Sequence, residues 1–213
     1  MKKRKRTIRY IILGSLLLLV WLTQMLPFMG EIYARTIYPV ISYCLSFFSR
    51  WIPFALGDLF IFLSIIGVIA YPFYARLHKK LRWKKILLND GEYLLWIYVW
   101  FYLAWGLNYS QKNFYQRTEI PYTEYNKENF QTFVNEYIDL LNHSYTPVTS
   151  INEKLVREES IRLYHQLSDS LGVHRPPHNY LKAKTMLFTP FISMVGVTGS
   201  MGPFFCEFTL NGD

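Results

Sequence analysis

The sequence predicts an α-helical membrane protein with three transmembrane helices, followed by an incomplete α+β domain outside the cytoplasmic membrane. Three observations predict it. Long apolar runs crowd the first half, although the chain as a whole is only 51% hydrophobic, little above a globular average. Clusters of Lys and Arg lie directly beside those runs. Beyond residue 107 the apolar residues thin out into periodic patterns typical of a water-soluble domain. The division expected is a membrane domain over 1–107 and a soluble domain over 108–213.

The first apolar run, Tyr10–Phe28 (YIILGSLLLLVWLTQMLPF), carries no charge. As a helix it is long enough to cross about 30 Å of hydrocarbon. The preceding MKKRKRTIR also suits a signal peptide, but the run ends in Gln24, Met25, Leu26, Pro27 and Phe28 with no A-x-A-like cleavage site, so an uncleaved anchor is expected. The second span covers about 56–74, with Asp58 at its start, where an acid reaches the interface or favours the helix N-terminus. The third covers about 93–107 and is rich in the Trp and Tyr that suit membrane interfaces. Between the first two lies 31–53, apolar but broken by Arg35, Pro39 and Arg50. An interfacial amphipathic helix is expected there, with a helical hairpin packed against the spans as the alternative.

Charge sets the orientation. Lys2, Lys3, Arg4, Lys5, Arg6 and Arg9 precede the first span, and Arg76, Lys79, Lys80, Arg82, Lys84 and Lys85 follow the second. Both clusters belong in the cytoplasm by the positive-inside rule. The N-terminus is then cytoplasmic and the C-terminal domain extracytoplasmic, in a multi-pass protein whose expected partner is the lipid bilayer. The formal charge of +8 does not indicate nucleic acid, because from Asn108 onward nine basic residues face eleven acidic ones. A nucleic-acid face needs its positive charge on a folded surface. No particular protein partner is indicated.

In the soluble half, Phe130, Phe133, Val134, Tyr137, Ile138 and Leu141 recur at three- and four-residue spacing and predict a helix over 126–142. A second helix is expected over 151–171, opened by a Ser150/Glu153 capping box and stopped at Gly172. HRPPHN then forces extended chain. Strands are expected over 180–188 and 203–210, with the glycine-rich Gly196–Gly202 as the turn between them.

Candidate chemistry is sparse. His174 and His178 have HxxxH spacing, but Pro176 and Pro177 forbid the helix that would put both imidazoles on one face. His143 sits at a helix end and His165 on a solvated helix face. GVTGSMG lacks the Gly-Lys-Ser/Thr ending of a phosphate loop and no helix follows it. Ser193, Ser200 and Glu207 offer hydroxyls and a carboxylate without a placed histidine. Asp58 and Glu92 read as interfacial charges at span ends rather than as a transport path. Cys44 and Cys206 form no CxxC pair, and one lies in each half. No catalytic, cofactor-binding or metal-binding residue is therefore expected.

Three stretches in order, WIPFALGDLF (Trp51–Phe60), WGLNYSQ (Trp105–Gln111) and VGVTGSMGPFFCEFTLN (Val195–Asn211), resemble a family of bacterial membrane proteins catalogued as domain of unknown function 3810. Members look like membrane-anchored zincins. Their Gly-x-x-G–Pro–Phe–x–x–Glu strand is followed shortly by an HExxH helix with two zinc-ligating histidines and a glutamate base. Here Gly199, Pro203, Phe204 and Glu207 match, and the HExxH does not occur. The resemblance implies a zincin-like outer domain, incomplete in this chain. It also implies the N-terminal part of a metallopeptidase, inactive alone, with zinc expected only in a full-length relative. The alternative is a non-catalytic envelope membrane protein whose outer domain binds a partner.

Overall fold

The computed structural model describes residues 2–147, 150, 152–172, 184–187, 194, 196–197 and 199–210. They fall into two compact units, one within Met1–Lys112 and Pro177–Asp213, the other within Asn113–Pro176. This division differs from the expected break at 107/108. The last strands belong with the N-terminal helices because a buried ion pair ties them there, as described below.

In the first unit, α1 (Lys2–Met25) carries the first apolar run. It ends one residue before Leu26, where an extended backbone precedes α2 (Pro27–Ile32) and Pro27 takes the first helical turn, a position that tolerates a missing N–H. A π-helical turn, Tyr33–Ile37, leads into α3 (Tyr38–Ser49). The segment 31–53 is thus helical through Ser49 but interrupted. It buries Tyr33 and Ala34, as α2 buries Gly30 just before it. Gly30 is closely packed: a Cβ there would lie 2.2 Å from the Ser110 carbonyl oxygen.

The second expected span is α4 (Leu56–Leu77). The third lies inside a longer helix, α5 (Trp83–Ala104), whose first turns are WKKILLNDGE. The helix stops at Ala104, and a 3-10 turn, Gly106–Ser110, follows. Among the described residues two helical stretches, Arg4–Met25 and Leu56–Leu77, are long and apolar enough to cross a membrane. The polar opening of α5 keeps it below that criterion. Val20, Tyr33 and Leu107 form a small core, with Tyr38, Ile41, Tyr102 and Leu103 packed on it. The Tyr33 hydroxyl closes it by donating to the Leu103 carbonyl at 2.6 Å.

The sheet of this unit has strand order β1 (Lys184–Thr185), β3 (Glu207–Leu210), β2 (Gly199–Gly202). β1 runs parallel to β3, with Lys184 opposite Thr209. β2 and β3 are antiparallel, with Gly202 opposite Glu207. The glycine-rich segment expected as a turn therefore contains a strand, and the turn is Pro203–Cys206. Proline cannot donate to a ladder, and Cys206 takes a left-handed φ of 51°. Both features favour turning at this point over continuing a strand from 203. Of the strand expected over 180–188, only Lys184–Thr185 lies in a described strand; 180–183 and 188 lie outside the described residues.

The second unit contains α6 (Phe114–Thr118), α7 (Lys127–Ser144) and α8 (Glu153–Leu167). Asn side chains cap all three. Asn113 and Gln116 make a reciprocal capping box, Asn126 accepts from Glu128 N and Asn129 N, and Asn152 accepts from Leu155 N. The expected Ser150/Glu153 box is thus replaced by a cap at Asn152, whose oxygen reaches the third residue on. Past α8, Gly172 adopts φ +57°, and a Cβ there would lie 2.9 Å from Arg117 Cβ. Only glycine meets both demands without strain.

Candidate functional site

The N-terminus of α4 has no side-chain cap of its own, because its N-cap residue is Ala55. Helix-start amides need acceptors from elsewhere. Glu207, 151 residues from Leu56 in sequence, supplies them. Its Oε1 accepts from Leu56 N at 3.1 Å and its Oε2 from Gly57 N at 2.8 Å. A carboxylate at this position also complements the positive end of the helix dipole.

Lys184 neutralises that carboxylate. Its Nζ donates to Glu207 Oε1 at 2.5 Å, to Ser49 O at 2.6 Å and to Phe54 O at 3.4 Å. Three ammonium donors meet three acceptors. Both residues are buried, Lys184 6% and Glu207 2% exposed. Closed to solvent and fully satisfied, the pair acts as a rivet between the sheet and the end of α4. Around it, Phe54 bridges to Thr185 in parallel, and Asp58 accepts from Leu187 N at 3.1 Å. Asp58 lies in the first turn of α4, as expected of an acid favouring the helix N-terminus, and it also secures the chain after β1.

The Pro203–Cys206 turn completes the junction. Phe60 packs against Phe204 and Phe205 at ring distances of 5.1 and 6.0 Å. Trp100 donates from its indole to Phe204 O at 3.1 Å. The Cys206 thiol donates to Ala104 O at 3.8 Å and lies 3.9 Å from the Tyr38 hydroxyl. Burial pushes this thiol up to about 11; the Tyr38 contact opposes the rise and the Glu207 charge adds to it. Tyr38 in turn meets Trp105 edge-on at 5.8 Å. The three motif stretches, distant in sequence, thus converge on one junction.

A second polar cluster lies between α1, α4 and α5. Arg9 grips Glu92 bidentately, Nε to Oε1 at 2.5 Å and Nη2 to Oε2 at 2.8 Å. Asn89 donates to the Tyr71 hydroxyl at 2.6 Å, and Ser64 and Tyr93 share a hydrogen bond of 2.9 Å. Glu92 was expected as a span-end charge. It lies well inside α5 and is buried, because the helix begins at Trp83. A cavity of about 540 Å³ opens beside this cluster.

The remaining candidates are dispersed. Ser200 is engaged by Thr209 at 2.8 Å across the hairpin. His143 contacts Asp139 O at 2.7 Å in the last turn of α7, and His165 lies in the last turn of α8. His174, His178 and Ser193 lie outside the described residues. Cys44 is exposed on α3. Among the described residues no three His, Cys, Asp or Glu side chains converge on a point that would hold a metal. They do not fit the zinc that the motif resemblance implies, and no step through zinc is derived from them.

Nothing local in the sequence marks Lys184 or Arg9 as a member of a polar cluster, or Asp90 as part of the cavity wall. The nearest signal, an α4 start without a capping side chain, calls for an acceptor but does not point to Lys184.

No curated protein matches the chain, and no solved structure matches it. A family model described as "Protein of unknown function (DUF3810)" matches residues 33–213, which include all three converging stretches. The chain is a member of the DUF3810 family of proteins of unknown function.

Proposed function

We propose that the chain is the N-terminal part of a membrane-anchored, zincin-like metallopeptidase, with three spans and with its sheet outside the cytoplasmic membrane. The observation that carries this reading is the Lys184–Glu207 rivet. It fixes the hairpin bearing the Gly-x-x-G–Pro–Phe–x–x–Glu pattern onto the start of α4. A strand held this firmly suits the platform from which a catalytic helix departs, since sites on rigid elements keep their geometry. Zinc and its ligands are proposed to come from outside these 213 residues. Supporting the third span, the C-terminal half of α5 is apolar and aromatic. Supporting the orientation, both basic clusters sit at one end of the helices, at the N-termini of α1 and α5 and the C-terminus of α4.

Two measurements test this. The nucleotide sequence past the Asp213 codon is expected to encode HExxH in frame. The purified 213-residue chain is expected to bind no stoichiometric zinc, and the extended product about one zinc per chain. Absence of HExxH in every frame of the following stretch, or zinc bound by the 213-residue chain itself, would refute the proposal.

A second reading, a non-catalytic envelope protein with a partner-binding outer domain, is favoured by α7. Its stripe of Phe130, Phe133, Tyr137 and Leu141 is exposed, and no residue of the helix is buried. Stable accumulation of the chain at this length, with a second envelope protein co-purifying, supports that reading. Rapid degradation counts against it.

A further inference from the structure

We propose that the groove between α1, α4 and α5 binds the headgroup of a phospholipid carrying both a phosphate and a primary ammonium. The inference is independent of the peptidase reading and rests on α1 and α4 crossing a membrane. The cavity of about 540 Å³ is lined by Arg9 of α1, Tyr71 of α4, and Asn89, Asp90, Glu92 and Trp96 of α5, among others. That volume lies within the usual range of small-molecule pockets, roughly 300–1,000 Å³.

Most polar groups around the cavity are already engaged. Glu92 is held by Arg9, Tyr71 by Asn89, and Tyr93 by Ser64. These contacts fix the walls. Asp90 differs: it is half-buried in the lining, and no hydrogen bond or ion pair engages its carboxylate among the described residues. A carboxylate accepts only, so its complement is a cation with N–H donors.

The rest of the lining selects the other half of the ligand. Arg9 has five guanidinium N–H donors. Two are committed to Glu92, and its side chain remains about half exposed (54%). The remaining donors suit a phosphate. The three charged side chains, Arg9, Asp90 and Glu92, sum to a formal −1, which disfavours a purely anionic headgroup. A choline headgroup is disfavoured too, because a quaternary ammonium has no N–H for Asp90. Tyr71, Tyr93 and Trp96 also line the cavity, and indole and phenol groups sit well at headgroup depth.

Position points to a lipid. Arg9 immediately precedes the uncharged run starting at Tyr10. Ile66 and Ile69 of α4 and Leu94 and Leu95 of α5 expose apolar surface near the groove's lining residues in sequence, suited to acyl chains. Both membrane-crossing candidates contribute to the lining, through Arg9 on one and Gly67 and Tyr71 on the other.

The test uses the full chain purified in detergent. Native mass spectrometry would count retained lipids after equilibration with equal amounts of phosphatidylethanolamine, phosphatidylcholine and phosphatidylglycerol of matched acyl chains. The expected result is one phosphatidylethanolamine per chain, favoured on the order of tenfold over the other two, as expected for one charge-assisted contact. Asp90→Asn should bring the three lipids close to parity. Asp90→Glu should keep the preference, as should the distant Glu136→Gln. Water-soluble phosphoethanolamine should not displace the lipid. Equal retention of the three lipids by the wild type overturns the proposal without recourse to any variant. A preference surviving in Asp90→Asn overturns the role of Asp90. Displacement by phosphoethanolamine overturns the lipid assignment in favour of a soluble ligand.

Discussion

Replacing Glu207 by Ala leaves the Lys184 ammonium buried against two carbonyls with no counter-charge. Removing one partner of a buried ion pair costs about 3–5 kcal/mol. The same change strips the acceptors from Leu56 N and Gly57 N, and loss of a helix cap costs about 0.5–2 kcal/mol. The two effects share one side chain and will not add fully, so a destabilisation of about 5 kcal/mol is expected. For a chain of this length each kcal/mol lowers the melting temperature by roughly 2–4 °C, giving a drop of about 10 °C or more. Lys184→Met should do less harm, because the carboxylate left behind still faces two amides and the positive end of α4. The double variant Lys184→Met/Glu207→Gln removes both charges and keeps an amide oxygen as acceptor. It should recover more than half of the loss, with a coupling of about 2 kcal/mol or more. The assay is a thermal melt in detergent followed by the fluorescence of the six tryptophans. A Glu207→Ala shift below about 3 °C, or strictly additive losses in the double variant, would refute the rivet.

Other outcomes can be checked on the same preparation. At pH 8 a maleimide should label Cys44, which is exposed, and spare Cys206, which is buried and has a thiol raised to about 11; rapid labelling of both in folded protein would contradict the packing of the turn. The raised thiol contributes stability that is present below the ordinary cysteine value of about 8.5 and is lost as pH climbs toward 11, so the Cys206→Ala variant should lose less stability than wild type across that interval. Gly30→Ala should cost about 1–3 kcal/mol by driving α2 off the Gly106–Ser110 turn, while Gly14→Ala, inside α1 with nothing in its way, should not lower the melt and should raise it slightly, since glycine costs about 0.5–1 kcal/mol in a helix interior. A reporter active only outside the cytoplasm should be active when fused after Ser110 and silent after Lys80; the opposite pattern would reverse the proposed orientation.

How much of this was legible in the sequence follows from the range of the forces involved. Helices α1, α4 and α7 announce themselves through runs or periodicities of apolar residues, which are local signals. The cap of α8 slipped by two residues because Ser150 and Asn152 are both good N-caps, and only the backbone decides which oxygen reaches the third residue on. The β2–β3 hairpin was misplaced for a related reason. Glycines in GVTGSMG suggest a turn, but across from them the chain Glu207–Leu210 offers a partner edge, and pairing with it overrides the local preference. Glu92 reads as a span-end charge because the apolar run starts at Tyr93, yet the helix begins at Trp83, and Arg9 pairs with Glu92 well inside it.

The junction was legible only in outline. Glu207 stands out in the motif, and so does the uncapped start of the helix at Ala55. Neither fact points to the other, because 151 residues separate Glu207 from Leu56 and no local rule spans that distance. Lys184 is harder still: a single lysine in KAKTMLF gives no sign that it is buried. Burial becomes necessary only once Glu207 is committed to two amides, since a carboxylate 2% exposed needs a counter-ion. The missing cap of α4 demands an acceptor, the acceptor demands a cation, and the cation demands the carbonyls of Ser49 and Phe54 that end one segment and begin the next. A neutral cap for α4, Ala55→Ser, should partly relieve the Glu207→Ala variant by supplying a helix-start amide with an acceptor, while adding no charge to pair with Lys184. A rescue of about 1 kcal/mol, and not of the full loss, is the expected outcome in the same melt. Complete rescue would show that capping alone, and not charge pairing, holds the sheet to the helix.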